Sequence, residues 1–416
     1  MLGLGLRGAG AVSSFALAWI LAQQFGARTV GLYQVGFTTA TLLAAIAVLS
    51  QDTVLVREIA PLIQSNKLGE AARRFRGVRQ LALAGGIVLA LLAALVAFPL
   101  ARYILGDVEV APFIIALAPA VLLLPQMRIH NALLRCLGQV TLSQTLEGVS
   151  YTTFAMIGLL VLWQLGDWSV PLAAPVLVTT GLLVSVSIGV FATAKHLDRW
   201  PSEGPIIPAD KTSGAWIAAG PIIAQATNWL ILLAITAMLS AGDGGVFRIA
   251  VLTCALMQLI STSFGTMAGP YLARASNAGN LGQIRSTVLV AGGIGAAIAS
   301  PVALLALLAP GWVMGLFGQE FVAGSNALQL LAIAQLINVA AGPVGVALVM
   351  QNRERVVLWV ELGSSVTALA LTAVLLPVWG LAGAGTGLLV AATLRNGTNW
   401  LFAWFSKPLA RTDLPE

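Results

Sequence analysis

Apolar residues gather into long runs that are separated by short polar or glycine- and proline-containing turns. A run needs ~20 residues to cross the ~30 Å hydrocarbon core of a bilayer. Twelve runs reach that length, and little sequence remains between them. We therefore predict an all-α integral membrane protein with twelve transmembrane helices, over residues 4–25, 31–54, 79–101, 112–134, 141–163, 172–194, 213–239, 245–269, 287–309, 325–349, 356–377 and 381–404.

The pattern also repeats itself within the chain. The Gly-Leu-Tyr-Gln-Val stretch at 31–35 returns as Gly-Val-Phe-Arg-Ile at 245–249, and Glu147 returns as Glu361, both 214 positions later. Residues 104–106 match 316–318 and Gln139 matches Gln351, both 212 positions later. An offset that drifts by only two residues over more than a hundred indicates a duplication. Because each predicted half has an even number of spans, both halves enter the membrane from the same side, which predicts two parallel six-helix repeats.

The longest polar connection lies between the sixth and seventh spans. It runs from Lys195 to Lys211 and contains Pro201, Pro205 and Pro208, residues that break helices. We expect an N-terminal six-helix bundle over 1–199, a cytosolic linker over 200–212 and a C-terminal six-helix bundle over 213–416.

Composition excludes a soluble protein, because 58% of the residues are hydrophobic, 9% are charged and the mean hydropathy is +0.91. With a cytosolic amino terminus, 19 of the 22 Lys and Arg residues fall on the cytosolic side, and Arg28, Arg102 and Arg248 fall on the other. This asymmetry predicts that both termini are cytosolic. The net charge of +6 then reflects topology, and we expect no nucleic-acid partner.

Residues that could support enzymatic chemistry are scarce. The chain has two histidines and two distant cysteines, and it lacks a phosphate-binding glycine loop followed by Lys and Ser or Thr. We predict no catalytic residue, no metal site and no cofactor.

Ionisable residues within apolar spans are costly, and they commonly mark a substrate or ion path. Glu147 shares a helical face with Ser143, Ser150 and Tyr151, and Glu361 occupies the equivalent position in the second half. We predict that the two carboxylates act in gating or coupling. The alternative is that each reaches the cytosolic interface or pairs with a nearby Arg.

Several charges near the predicted cytosolic ends of the spans form a second candidate group. Arg7, Asp52, Arg57 and Arg128 are predicted to line an inward-facing, net-cationic mouth, with Arg248 as their counterpart on the outer side. Arg binds phosphate through paired hydrogen bonds. Ordinary positive-inside anchoring of the helices is the alternative for each of them.

The connection between spans two and three also carries an amphipathic pattern. Apolar residues recur at helical spacing between Ser65 and Gln80, with four arginines between them. The pattern predicts a short basic helix on the cytosolic membrane surface, where it attracts anionic lipid or first receives an anionic headgroup.

These residues resemble a known family. The stretch 25–33, followed by Val-Arg-Glu-Ile-Ala at 56–60, is similar to the first-half pattern of polysaccharide transporters, and 245–250 with 270–274 is similar to the second. These are the Wzx-like O-antigen and oligosaccharide flippases of the multidrug/oligosaccharidyl-lipid/polysaccharide exporter superfamily. The acid that such families commonly carry in span seven is absent from 225–229.

The resemblance implies two six-helix bundles around a V-shaped central cavity and transport by alternating access. The implied substrate is a polyprenyl-diphosphate-linked oligosaccharide, moved from the cytosolic to the periplasmic leaflet for O-antigen or other surface polysaccharide synthesis. Membrane lipids, a polysaccharide polymerase and chain-length proteins are the implied partners, and the bacterial cytoplasmic (inner) membrane is the implied location. The alternative function is a cation-coupled exporter of small amphiphilic compounds on the same fold.

Overall fold

The protein is a multi-pass, all-α membrane protein. A computed structural model describes residues 2–164, 171–201 and 204–405, with the side chains of residues 2–9 and 11 left out. Ten helices of this described part are long and apolar enough to cross a membrane. The finer count of twelve stays a prediction, because the first of the ten carries two of the predicted spans and the last predicted span is not among them.

The helices follow the chain in order. They are α1 (Leu2–Val48), α2 (Gln51–Gln64), α3 (Leu68–Pro99), α4 (Val110–Cys136), α5 (Val140–Gln144), α6 (Ser150–Gln164), α7 (Ala173–Leu197), α8 (Lys211–Met238), α9 (Ala241–Asn277), α10 (Leu281–Leu308), α11 (Pro310–Gly315), α12 (Ser325–Ala340), α13 (Val344–Met350), α14 (Glu354–Trp379) and α15 (Leu381–Phe405). Two π-helical turns, Leu100–Leu105 and Thr145–Val149, continue α3 and join α5 to α6.

Two breaks change the predicted spans. Gly26 lies within α1 but has a non-helical backbone (φ 73°, ψ 179°), so α1 consists of two helical pieces that correspond to the first two predicted spans. The tenth predicted span, 325–349, is also interrupted: α12 ends at Ala340, Gly342 has φ 67°, and α13 begins at Val344. The indole Nε1 of Trp400 donates to the Ala341 carbonyl at 3.0 Å, which satisfies a backbone group at the break.

The chain forms two compact units. Unit 1 comprises Met1–Trp229 and Ser240–Gly245, and unit 2 comprises Leu230–Leu239 and Val246–Glu416. The first part of α8 therefore packs with the helices that precede it. The proposed division at 199 and 213 into two six-helix repeats stays a prediction.

In unit 1, α4 is the central helix and packs against α1, α2, α3 and α7. The first turn of α9 also belongs to unit 1 and crosses α1 at duplicated small residues. A Cβ on Gly31 would overlap the carbonyl oxygen of Ala241, and a Cβ on Gly245 would overlap that of Ala27. Ala27 and Gly31 in α1, like Ala241 and Gly245 in α9, have the small-xxx-small spacing that lets membrane helices approach closely. Positions 214 residues apart in the chain therefore contact each other here.

The predicted surface helix between Ser65 and Gln80 is wrong in its placement. These residues form the first turns of α3, which continues into the span without interruption. Its apolar face is covered by protein: Ala71, Ala72 and Phe75 are fully buried against residues such as Leu55 and Trp200. The arginines lie around this packed extension, and Arg74 pairs with Glu58 at 2.9 Å.

The proline-rich connection to α8 lies along the same turns of α3. A Cβ on Gly77 would overlap the carbonyl oxygen of Ile207, and one on Gly69 would lie 3.2 Å from that of Pro201. Gln51 Nε2 donates to the Asp210 carbonyl at 2.8 Å. The described part of this connection is therefore docked on unit 1 along α3.

In unit 2, α15 is the central helix and packs closely against α12 and α14. Its inward positions are mostly small, with Gly383, Ala384, Gly387 and Ala391 buried. Small residues permit close helix packing in a membrane, where apolar burial alone contributes little because lipid is equally apolar.

Candidate substrate-binding clusters

The first polar cluster lies in unit 1, where α4 ends and the next span begins. Arg128, Asn131 and Arg135 have the i, i+3, i+7 spacing that places residues on one face of α4. Glu147 lies in the π-helical turn between α5 and α6. The Arg135 Nη1 atom is 3.7 Å from the Glu147 Oε2 atom, and the side chains are 33% and 40% exposed. The predicted intramembrane acid therefore has an Arg partner from the preceding span.

The π-helical turn has local support. Ser143 is fully buried, and its Oγ donates to the Asn131 carbonyl at 3.1 Å, which ties α5 to α4. A Cβ on Gly10 of α1 would lie 2.8 Å from the carbonyl oxygen of Gly148, beside the acid. The turn is thus held between α1 and α4, and π-helical turns of this kind are frequent at functional sites.

The cluster contains two arginines and one glutamate. Arg128 and Arg135 lie two turns apart on the same face of α4, and Arg135 approaches Glu147 at 3.7 Å. Asn131 is 1% exposed, and neither polar atom of its amide has a hydrogen-bond partner among the described residues. A buried amide of this kind is costly unless water or a ligand binds it. The arrangement can receive an anion.

The second cluster lies in unit 2, between α12, α14 and α15. The Arg395 Nη1 atom is 3.6 Å from the Glu361 Oε2 atom, with side-chain exposures of 33% and 16%. Asn338 joins the helices, because its Oδ1 accepts from Arg395 Nη2 at 2.8 Å and from Asn396 Nδ2 at 2.6 Å. Its own Nδ2 donates to Gln335 Oε1 at 3.1 Å. Both predicted acids thus pair with an arginine, as the alternative interpretation of them expected.

The other predicted residues are placed separately. The Arg7 side chain lies outside the described residues, although its backbone is in α1. Asp52 and Arg57 lie on α2, where Asp52 is half-buried and Arg57 is exposed. Arg248 is half-buried on α9 in unit 2. Of the predicted mouth residues, Arg128 is the one that shares a face of α4 with Arg135, the partner of Glu147.

Sequence reasoning missed the residues that complete both clusters. From the sequence, Arg135 was not paired with Glu147, and neither Arg395 nor Asn338 was paired with Glu361. For the cluster around Glu147, the available signal was the spacing that places Arg128 and Arg135 on one helical face. The link from Arg395 to Glu361 and Asn338 depends on tertiary packing, which the sequence does not display.

His130, one of the two histidines, has a structural role. It is 1% exposed, and its ring stacks edge-on against Phe75 with centroids 5.3 Å apart. The Thr193 hydroxyl donates to the Gly189 carbonyl at 2.9 Å, so it accepts from His130 Nδ1 at 2.7 Å. These contacts join α4 to α3 and α7 behind the cluster.

Comparison with solved structures shows the fold of MOP superfamily transporters. An inward-facing multidrug resistance MATE family transporter of that superfamily aligns with a TM-score of 0.74 at 14% identity, over 94% of this chain and 93% of the other. The lipid II flippase MurJ, in an inward closed conformation, aligns with a TM-score of 0.70 at 12% identity, over 96% and 87%. A MOP superfamily transporter from Pyrococcus furiosus aligns with a TM-score of 0.67 at 15% identity, over 97% and 92%.

These similar structures are named as membrane transporters and a flippase rather than as enzymes. At such low identity the likeness defines the fold and leaves the substrate open. No protein-family model matches the sequence, and no curated protein matches it either.

Proposed function

We propose that this protein is a flippase that moves a polyprenyl-diphosphate-linked oligosaccharide from the cytosolic to the periplasmic leaflet by alternating access. The observation that carries the proposal is the pair of arginines on one face of α4 in unit 1, where Arg128 and Arg135 lie two turns apart and Arg135 is 3.7 Å from the single carboxylate of Glu147. A diphosphate is a suitable ligand, since Arg forms paired, charge-assisted hydrogen bonds with phosphate oxygens. The fold shared with a lipid II flippase supports the same reading.

In this proposal the protein is a twelve-span protein of a bacterial inner membrane, with both termini in the cytosol. Arg128 and Arg135 bind the headgroup, together with Arg7 and Arg57 at the inner mouth and Arg248 on the outer side. Asp52 lines the same inner mouth and contacts the uncharged part of the substrate. Glu147 and Glu361 hold their arginine partners in place and act in gating. A diphosphate carries about two negative charges, and an inside-negative membrane potential favours its outward movement by ~2.3 kcal/mol per charge per 100 mV.

The alternative is a cation-coupled exporter of amphiphilic compounds, which the likeness to a multidrug transporter keeps open. Coupling of that kind uses a carboxylate that exchanges its proton or cation during transport. The two acids at duplicated positions already have arginine partners at 3.7 and 3.6 Å. This pairing favours the flippase.

Deletion of the gene, followed by analysis of lipid-linked intermediates, tests the proposal. We expect a cytosol-facing oligosaccharide lipid to accumulate and to disappear when the wild-type gene is restored. A gene that encodes the double variant Arg128→Gln/Arg135→Gln should restore export to at most about a tenth of the wild-type level. The reason is that each lost charged hydrogen bond weakens binding by ~1.5–3 kcal/mol. Arg102→Gln is the control, since Arg102 is exposed and lies beside Tyr103, away from the cluster.

Protein abundance is measured in each strain, so that loss of folding is separated from loss of transport. If no intermediate accumulates and the deletion strain instead becomes sensitive to amphiphilic drugs, the exporter replaces the flippase.

A further inference from the structure

A groove between α14 and α15 in unit 2 is not used by any role assigned above. It encloses a volume of about 470 Å³. Its walls are apolar at Val356, Trp359 and Phe402, while Arg395 and Thr398 supply polar atoms. A largely apolar groove with one cationic group suits an amphiphile that has an anionic head.

Arg395 faces two environments. Behind the groove it donates to Asn338 and approaches Glu361, and neither of these residues lines the groove. Its guanidinium carries five N–H donors in a fixed plane, so these two contacts leave donors for a ligand in front. The side chain is 33% exposed, which gives a ligand access to it.

The groove has a fixed shape. Arg353, which is 6% exposed, donates from Nη1 to the Phe402 carbonyl at 2.8 Å and holds the end of α15. Asn338 bonds Arg395 and Asn396 on the other side of that helix. A cation held this way is already oriented before a ligand arrives, which lowers the entropy cost of binding.

In the proposed twelve-span topology, α15 is the last span and the depth of Arg395 selects among phosphate-bearing lipids. Arg395 lies about ten residues before Phe405, the last described residue of α15, or about 15 Å along a helix that rises 1.5 Å per residue. Bulk phospholipids keep their phosphates outside the hydrocarbon core, so a phosphate at Arg395 in that topology has left the headgroup layer.

We propose that the α14–α15 groove is a second binding site for the isoprenyl (di)phosphate part of the transported lipid, with Arg395 binding a phosphate oxygen and displacing Glu361 as its partner. Trp359, Val356 and Phe402 then contact the first isoprene units. This inference rests on the proposed function and adds a unit 2 site to it.

Binding to the purified full-length protein in detergent tests the site, with a C15 isoprenyl diphosphate as probe and native mass spectrometry as readout. Arg395→Gln should weaken binding about tenfold or more, the value of one charge-assisted hydrogen bond. Glu361→Gln should strengthen it about threefold or more, because the competing carboxylate is neutralised. Thr393→Val is the control: Thr393 is exposed on α15 and bonds its own helix at Leu389.

The two variants are expected to change the affinity in opposite directions. This distinguishes ligand binding by Arg395 from a purely structural role of the Arg395–Glu361 pair, because removing either partner of a structural pair would not tighten binding. Unchanged affinity in both variants overturns the proposal. Equal binding of phosphatidylglycerol also overturns it, by making the groove a site for bulk anionic lipid. The readout does not require transport: loss of binding in Arg395→Gln supports the site even if deletion of the gene causes no oligosaccharide lipid to accumulate.

Discussion

The two duplicated acids are embedded differently. Glu147 is 40% exposed, lies in a π-helical turn and pairs with Arg135 from α4, the preceding span. Glu361 is 16% exposed, lies in the regular helix α14 and pairs with Arg395 from α15, the following helix. Positions 147 and 361, which are 214 residues apart, thus both carry a carboxylate, while each unit supplies the arginine partner from a different helix.

The difference shows what each pair is suited to do. In unit 1 the glutamate of the ion pair is more exposed, and Arg128 lies two turns before Arg135 on the same face of α4. In unit 2 the pair is fixed by Asn338 and Asn396. We infer that unit 1 makes the first contact with an anionic headgroup, whereas unit 2 balances its charge internally until a ligand displaces Glu361.

The largest expected effect is a loss in the free energy of unfolding when the arginine partner of each acid is replaced. Arg395→Leu leaves Glu361 uncompensated in a mostly buried position, and we expect a loss of about 2 kcal/mol, below the ~3–5 kcal/mol of a fully buried pair. Arg135→Leu should cost about 1 kcal/mol or less, because Glu147 can be hydrated. Unfolding in detergent, followed by circular dichroism against denaturant, measures both.

The double variant Arg395→Gln/Glu361→Gln controls for lost packing and should recover part of the stability lost in Arg395→Gln alone. A greater loss for Arg135→Leu than for Arg395→Leu would reverse the proposed contrast between the units.

Part of this comparison was predictable from sequence. A carboxylate in an apolar span is costly wherever the chain places it, so Glu147 and Glu361 stood out, and the apolar runs defined the helices. The arginine partners did not stand out: Arg135 and Arg395 come from helices whose neighbours are set by packing. Hydrophobic periodicity also shows that a face is buried without showing what covers it, which is why the start of α3 was wrongly placed on the lipid surface.

The next prediction tests whether the close approach of α1 to the π-helical turn stabilises unit 1. Gly10 and Gly148 allow α1 to lie against this turn, whereas the positions 214 later are Ala224 and Leu362. Gly10→Ala should cost about 1 kcal/mol, because the new methyl group lies 2.8 Å from a backbone oxygen and the helices must shift. Thermal melting of the purified protein measures the change.

Gly220→Ala is the matched control. It is in α8 of the same unit, a Cβ there meets nothing within 4 Å, and alanine favours a helix by up to ~1 kcal/mol. If both variants melted at the same temperature, the close approach of α1 to the π-helical turn would not contribute to the stability of unit 1.

The smallest effect comes from a third ion cluster, in which the arginine itself is more exposed. Arg28 lies 2.9 Å from Asp107, which is 18% exposed, and 3.0 Å from Glu109, which is 68% exposed. These distances are shorter than those of the Glu147 and Glu361 pairs, yet the Arg28 side chain is 53% exposed. Arg28→Gln should therefore cost about 0.5 kcal/mol, and the loss should shrink as salt is raised. If distance rather than burial decided the strength of these pairs, Arg28→Gln would lose more stability than Arg395→Leu in the same unfolding measurement. Exposure would then not explain the contrast between Glu147 and Glu361.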